Sequence, residues 1–187
     1  EEIEACAYDM MISGAGSEAV SLLRLWKARD IRNFNMSLFT QGQYTRALEE
    51  STQADIISKV LYPSDNHTEG KLLRLTQQYF LVSASVQSII RDHLAVYGTL
   101  DNFAEKVSIH INDTHPALCI PELMRIFIDD YHFSWEKAWA LVTGAVSYTN
   151  HTVMPEALET WAEDLFRFRL PRIYTIVKEI NERFCAE

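Results

Sequence analysis

Three short stretches of this sequence are dense in side chains that bond hydroxyl groups: Asp65-Asn66-His67-Thr68, Asn112-Asp113-Thr114-His115 and Asn150-His151-Thr152. Asn, Asp, His and Thr are compact and mix donors with acceptors. A polyol or sugar needs such a lining, because each hydroxyl both gives and takes a hydrogen bond. A phosphate alone would call for Arg, Lys or a glycine-rich cradle, and the three stretches hold none. His110, Asp113 and His115 are also types that bind zinc or iron, but no compact motif such as H-E-x-x-H accompanies them. Each feature has a plainer reading. Asp113 and Thr114 stand where a helix cap belongs, and His115 and His151 could be structural histidines. The sharper reading rests on the joint occurrence of three such turns.

Other chemistry is poorly supported. Cys119 falls within an apolar helical pattern, where a thiol is inert. Gly14-Ala15-Gly16 lacks the third glycine and the Lys-Ser/Thr ending of a phosphate loop. Trp135, Trp139, Tyr148 and Trp161 are spaced as core residues rather than as a sugar-stacking platform.

The elements that must position the polar turns can be read from periodicity. Residues 3–12 and 19–26 are apolar runs around Ser13-Gly14-Ala15-Gly16-Ser17, which predicts two strands around a glycine-rich loop. Residues 42–61 predict a long helix with sparse apolar positions, Tyr44, Leu48, Ile56, Ile57 and Val60. Such a helix projects from the body or meets a partner subunit. Leu72, Leu75, Tyr79, Val82, Val86, Ile89 and His93 fall on one helical face, and Gly98 ends that helix. Val107, Ile109 and Ile111 alternate with polar residues as a strand does. Pro116 is expected to open a helix reaching about Asp130. Ser134 caps a helix over 135–141, with Trp135, Ala138, Trp139 and Val142 inward. Residues 145–149 predict a strand, Pro155 a helix through Trp161, and Pro171 a last helix with Ile173, Ile176, Val177, Ile180 and Phe184 on one stripe. In open α/β folds ligands sit beyond the carboxyl ends of strands, near helix N-termini, and each polar turn is expected to precede a helix. The fold class is therefore α/β, rich in helix, with too few strands for a comfortable sheet. The 187 residues read as a single partial domain.

Composition narrows the function. The chain has 17 Lys and Arg against 26 Asp and Glu, a formal charge of −9. That disfavours binding to nucleic acid or to an anionic membrane surface, and no apolar run approaches the ~20 residues a membrane span needs. Glu1-Glu2-Ile3-Glu4 has neither the basic nor the apolar part of a signal peptide and reads as the interior of a longer chain. Cys6, Cys119 and Cys185 are odd in number and form no CxxC pair, which points to a reducing, cytoplasmic setting. There the four N-x-[ST] triplets at Asn35, Asn66, Asn112 and Asn150 are not glycosylation sites.

Longer stretches carry a resemblance. Val60-Leu61-Tyr62-Pro63-Ser64-Asp65-Asn66, the run from Asn112 through Leu118 with Ile120-Pro121-Glu122-Leu123-Met124-Arg125, and the run from Tyr148 through Glu159 closely resemble the α-glucan phosphorylases. Arg24-Leu25-Trp26 and Glu179-Ile180-Asn181 fit the same family, in the expected order along nearly the whole chain. Asp65-Asn66-His67-Thr68 resembles the bacterial maltodextrin type; the animal enzymes carry aromatics where His67 and Thr68 stand. The resemblance implies cleavage of α-1,4-glucan chains from the non-reducing end by orthophosphate, giving glucose 1-phosphate. It implies pyridoxal phosphate, whose phosphate shuttles the proton, and two Rossmann-like domains of the GT-B type with the active site between them. This chain matches the later part of the N-terminal domain.

The same resemblance implies roles. Asp65 and Asn66 belong to a gating loop that contacts glucose, and His151 bonds the glucose 6-hydroxyl; these three are the candidate substrate-binding residues. Asp113 and His115 line the cleft and polarise it, and are the candidate catalytic residues. The helix over 42–61 forms a projecting tower at a homodimer contact. The cofactor lysine belongs to the other domain and is not in this sequence. Residues 12–18 (Ile-Ser-Gly-Ala-Gly-Ser-Glu) depart from the family's Pro- and Tyr-bearing loop, and Ile173 stands where the pattern has His, a change expected to touch packing alone. The alternative is a non-catalytic glucan-binding or oligomerisation module.

Overall fold

The computed structural model describes residues 2–31, 35–155 and 158–186. It is a mixed α/β, helix-rich chain whose contacts fall into two compact units, residues 1–80 and 81–187. Helix α3 (Thr68–Tyr97) carries residues of both.

The N-terminal unit begins with an antiparallel hairpin, β1 (Ile3–Ser13) and β2 (Val20–Asp30), paired from Ile3↔Asp30 to Ser13↔Val20. Arg24 forks onto Asp9 with two 2.7 Å hydrogen bonds across it. A lone two-stranded hairpin is marginal in water, and one end of this one is covered. After the short helix α1 (Met36–Thr40), helix α2 (Tyr44–Lys59) lies against β2. Ala28 is fully buried there and its N–H donates to Ser58 Oγ at 3.0 Å. The buried residues of α2 include Ala47, Ala54 and Ile57, whereas Tyr44, Leu48, Ile56 and Val60 are exposed. Small alanines let helix and strand approach closely. The larger apolar residues that the pattern marked, Ile57 apart, face solvent.

Helix α3 starts where the sequence lets it. His67 Nδ1 accepts the N–H of Gly70 at 3.0 Å, capping the first turn in the manner of an Asn or Ser. Gly70 is required because a Cβ there would meet the Ser64 carbonyl oxygen at 1.7 Å. The helix ends at Gly98, in a left-handed conformation (φ +68°) that donates its N–H to Leu94 O at 2.9 Å. Buried His93 donates from Nε2 to Thr99 O (2.9 Å) and Asn102 Oδ1 (3.0 Å), fixing the chain as it leaves the helix.

In the C-terminal unit, α4 (Phe103–Lys106) leads to strand β3 (Ile109–Asn112). Then come α5 (Cys119–Arg125), a π-helical turn (Ile126–Asp130), α6 (Trp135–Ala145), strand β4 (Val146–Thr149), α7 (Glu163–Arg169) and α8 (Pro171–Ala186). β3 and β4 pair in parallel, Ile109↔Val146 through Asn112↔Thr149. Parallel neighbours need a crossover, and α5 with α6 supplies it. One core joins Val86 and Ile90 of α3, Phe103, Ile111, Leu123, Phe127, Val142 and Ile176. Phe103 and Phe127 meet edge to face at 5.3 Å.

A buried charge ties this crossover together. Glu122 has no exposed surface. Its carboxylate accepts from Ser83 Oγ (2.8 Å) on α3 and from Arg125 Nε (2.9 Å) and Nη2 (3.1 Å). Arg125 also reaches Asp130 (3.2 Å) at the end of the π turn. Next to it, Arg172 of α8 donates to Asp129 at 2.8 and 2.5 Å.

Four expectations are corrected. The helix expected from Pro116 begins at Cys119, because Pro121 has no N–H to give Ala117 and the first i→i−4 bond there is Glu122 N to Leu118 O. The helix expected over 155–161 opens at Pro155 as a 3-10 turn and does not extend over Leu158–Trp161; 156 and 157 lie outside the described residues. Leu158 N closes that turn onto Pro155 O at 3.1 Å, and Leu158 is exposed, so the large apolar side chain in the middle of the segment adds no burial to carry the helix on. The Trp135, Trp139, Tyr148, Trp161 set is not core: Trp139 and Tyr148 are exposed and the other two half-buried. α6 instead buries Ala138, Leu141, Val142 and Ala145. On α8, Ile173 and Ile176 are buried but Phe184 is exposed, one turn beyond the last partly buried position, Ile180.

Two outcomes follow from the charge network. Glu122→Ala leaves Arg125 without its buried partner and should cost about 3–5 kcal/mol in urea unfolding followed by circular dichroism, with Glu122→Gln milder. Asp129 is held below the ordinary carboxylate value, chiefly by its hydrogen bond from Arg172. A depressed carboxyl gives stability that is full above its unfolded value of about 4 and is lost as pH falls through the lower folded value. Asp129→Asn should therefore flatten the loss of thermal stability below about pH 4 while lowering stability at neutral pH.

Candidate functional site

The C-terminal ends of β3 and β4 build one polar face. Alternation sends Ile109, Ile111 and Val146 to the core, so His110, Asn112, Ser147 and Thr149 share the opposite side. Each polar β3 side chain bonds the residue two places beyond its register partner. His110, opposite Ser147, has Nε2 2.6 Å from Thr149 Oγ1. Asn112, opposite Thr149, accepts on Oδ1 from His151 Nε2. Two of the three polar turns thereby come together.

Asp113 carries the pairing one step further, donating its N–H to Thr149 O at 2.9 Å. Its φ is +69°, an uncommon conformation for a residue with a Cβ and one that Asp tolerates better than most. Its carboxylate accepts the next N–H, from Thr114, at 2.7 Å. That is a turn contact rather than a cap of α5, whose N-cap position is Leu118. Thr114 O and Pro116 O then accept from Ala117 N (3.0 Å) and Cys119 N (2.9 Å) in two tight turns. His115 lies within these turns, its Nδ1 3.8 Å from Glu159 Oε2. The loop after His151 is braced by its own side chains: Asn150 Oδ1 accepts from Thr152 N, and Thr152 Oγ1 from Met154 N.

Asp65 and Asn66 belong to the N-terminal unit. They are exposed in the lead-in to α3 that His67 caps. Among the described residues this turn alone runs directly into an α-helix; after Asn150-His151-Thr152 the next described α-helix, α7, begins at Glu163.

Thr149 and Glu159 lie outside the three polar stretches, and Asn112 lies in one of them without a role of its own. The period of two is the signal for the role of Asn112, since it puts positions 110 and 112 on one face. Glu159 gives no local signal, because its link to His115 is tertiary. Among the described residues no three His, Cys, Asp or Glu side chains are grouped to hold a metal ion. Cys119 is buried and its thiol is pushed up to about 12, chiefly by burial with the Glu122 charge adding to it, so it stays protonated. Elsewhere in this unit a groove of about 520 Å³ is lined by Leu118, Ile120, Trp161, Phe166, Tyr174 and Val177, among others. Its walls are nearly all apolar and include none of the candidate site residues.

Comparison with known proteins decides the family. The family model described as carbohydrate phosphorylase matches residues 1–187. The chain belongs to that family. It is 50% identical over 184 residues to a glycogen phosphorylase of Chlamydia pneumoniae, covering 98% of this chain and 22% of that protein. A Bacillus subtilis glycogen phosphorylase is 48% identical over 183 residues, covering 98% and 22%. The muscle form from Ovis aries is 46% identical over 188 residues, covering 96% and 22%. The chain thus spans about 22% of the length of the phosphorylases it matches. The family indicated by the polar turns and their flanking motifs is the family found. No helix among the described residues is long and apolar enough to cross a membrane.

The strain at Asp113 gives a test of how the edge is held. Asp113→Val should lower stability by about 1–2 kcal/mol, because a β-branched residue resists that conformation. Asp113→Asn, and Asp113→Gly, which relieves the strain, should lose less than the valine variant. Thermal melting of the three variants checks this order.

Proposed function

We propose that these residues form one wall of the sugar-binding cleft of an α-1,4-glucan phosphorylase, which transfers glucosyl units from glucan ends to orthophosphate and yields glucose 1-phosphate. The observation that carries the reading is the β3–β4 edge, where His151, Asn112 and Asp113 are linked in a family of carbohydrate phosphorylases. His151 and the Asp65-Asn66 loop hold glucose hydroxyls. Asp113 and His115 shape and polarise the pocket beside the reacting sugar. Glu159 sits beside His115, its Oε2 3.8 Å from Nδ1.

Pyridoxal phosphate supplies the proton-transferring phosphate in this reading, but the β3–β4 edge does not fit it. Its side chains are Asn, Asp, His, Thr and Glu, with no amine to form an imine and no guanidinium to grip a phosphate. The cofactor and its lysine therefore lie on other residues of the phosphorylase, and no step of the chemistry here passes through them. The N-terminal domain would be of the GT-B, Rossmann-like type. The exposed Tyr44, Leu48 and Ile56 of α2 support a tower-like contact between two subunits. Three free thiols agree with a reducing, cytoplasmic setting. His67-Thr68, rather than overall identity, favours the bacterial maltodextrin type.

Calorimetric titration of the 187-residue chain with maltoheptaose tests the site. Weak binding is expected, three- to tenfold weaker in His151→Ala, the scale of one neutral hydrogen bond of about 0.5–1.5 kcal/mol. Unchanged affinity would remove His151 from the sugar contacts. Glucose 1-phosphate should not form when the chain alone is given maltoheptaose, pyridoxal phosphate and orthophosphate. Turnover would overturn the division of the active site between this wall and the rest.

A further inference from the structure

The bond between Asn112 and His151 has a consequence for what His151 can recognise. An amide oxygen only accepts, so the imidazole nitrogen facing it must carry the proton. Asn112 Oδ1 faces Nε2. A neutral ring has a single N–H, so Nδ1 is then a bare acceptor. No other described protein group bonds the His151 ring, and the side chain is exposed, so Nδ1 remains open to a ligand. The neighbouring pair, His110 with Thr149, is different in kind. A hydroxyl both gives and takes, so Thr149 leaves the His110 tautomer open. Only the outermost histidine of the edge meets a partner that dictates its proton.

We infer that Asn112 is the positioning residue for His151: its amide oxygen holds the imidazole as the Nε2–H tautomer, so that Nδ1 accepts a hydrogen bond from a sugar hydroxyl. The sugar half of this inference rests on the function proposed above. The tautomer half rests on the Asn112–His151 bond alone. It also states a specificity. A ligand offering an O–H to Nδ1 is bound, and one offering only an acceptor at that place is rejected, because two acceptors would face each other.

Long-range proton–nitrogen NMR of the full chain at about pH 8.5, some two units above the ordinary imidazole value, reads the tautomer directly. Of the six histidines, His151 is identified by the signals missing from His151→Gln. The expected wild-type pattern is a pyrrole-type Nε2 and a pyridine-type Nδ1, and the reverse overturns the inference without recourse to any variant. Asn112→Leu, close in shape but lacking the acceptor, should release the ring into a mixture of tautomers and weaken maltoheptaose three- to tenfold. Asn112→Asp, which restores an acceptor, should restore the tautomer. A leucine variant that folds with both the His151 signals and the affinity unchanged overturns the positioning role. A wild-type chain with the expected tautomer and no maltoheptaose binding overturns the sugar half and leaves the tautomer half standing.

Discussion

The parallel pairing of β3 with β4 is the constraint on which the rest of the site depends. Four residues on each strand set a register that opposes Asn112 and Thr149, and every polar contact at the edge is counted from it. A slip of one residue would turn Ile109 and Ile111 outward and bury His110 and Asn112. The core forbids that exchange, because Ile111 is packed among fully buried neighbours and a buried, unbonded His or Asn would cost several kcal/mol. The hydrophobic face therefore fixes the position of the polar one. His151 stands past the end of β4, and the register alone brings it to Asn112, far from it in sequence.

A parallel pair so short could not hold its register unaided. Its connection runs through α5, the π turn and α6, and Glu122 is the point where that connection is locked. The carboxylate is buried, yet its oxygens are filled by Ser83 and the fork of Arg125. Burying an ion pair seldom adds net stability, but a fully bonded one admits few alternative arrangements. Here it fixes the rotation of α5 against α3. Arg125 passes the constraint to Asp130, and the adjacent Asp129 passes it to Arg172 on α8. The π turn between Arg125 and Asp130 shifts the phase of the helix, and Asp129 and Asp130 at its end each reach a guanidinium.

Much of this was legible in the residues themselves. Long amphipathic patterns with clear stops were read correctly, as in α3 ending at Gly98 and α6 opening at Ser134, because burial and capping act locally there. The strands at 109–112 and 146–149 were legible from alternation. What was not legible depended on tertiary partners. The α5 start was misplaced because Pro116 resembles a first-turn proline, while Pro121 controls where bonding begins. The buried alanines of α2 carry no large hydrophobic signal, so its packed face was taken for a bare one. Tryptophans at helical spacing were assigned to a core that the smaller Ala138 and Ala145 fill instead. At the site, the turns at 112–115 and 150–152 were identified by residue type and do meet. The pairing of Asn112 with His151 and the place of Glu159 beside His115 were not legible because each depends on what lies opposite.

The chemistry of the edge also argues for a division of labour within the proposed phosphorylase. Asp113 and Glu159 are acidic and no cation stands among the candidate residues, in a chain whose formal charge is −9. Such a surface repels orthophosphate and glucose 1-phosphate at the distances where charges act, within roughly 8–10 Å at physiological salt. A neutral hydroxyl pays no such penalty and gains from every fixed acceptor. An enzyme that must hold a sugar and an anion side by side gains by placing acceptors on one wall and cations on the other. The anion is then drawn toward the cationic wall while the sugar is oriented by the neutral and acidic one. In the proposed phosphorylase the acidity of the β3–β4 edge would thus keep the phosphate on the far side of the glucose it is to receive.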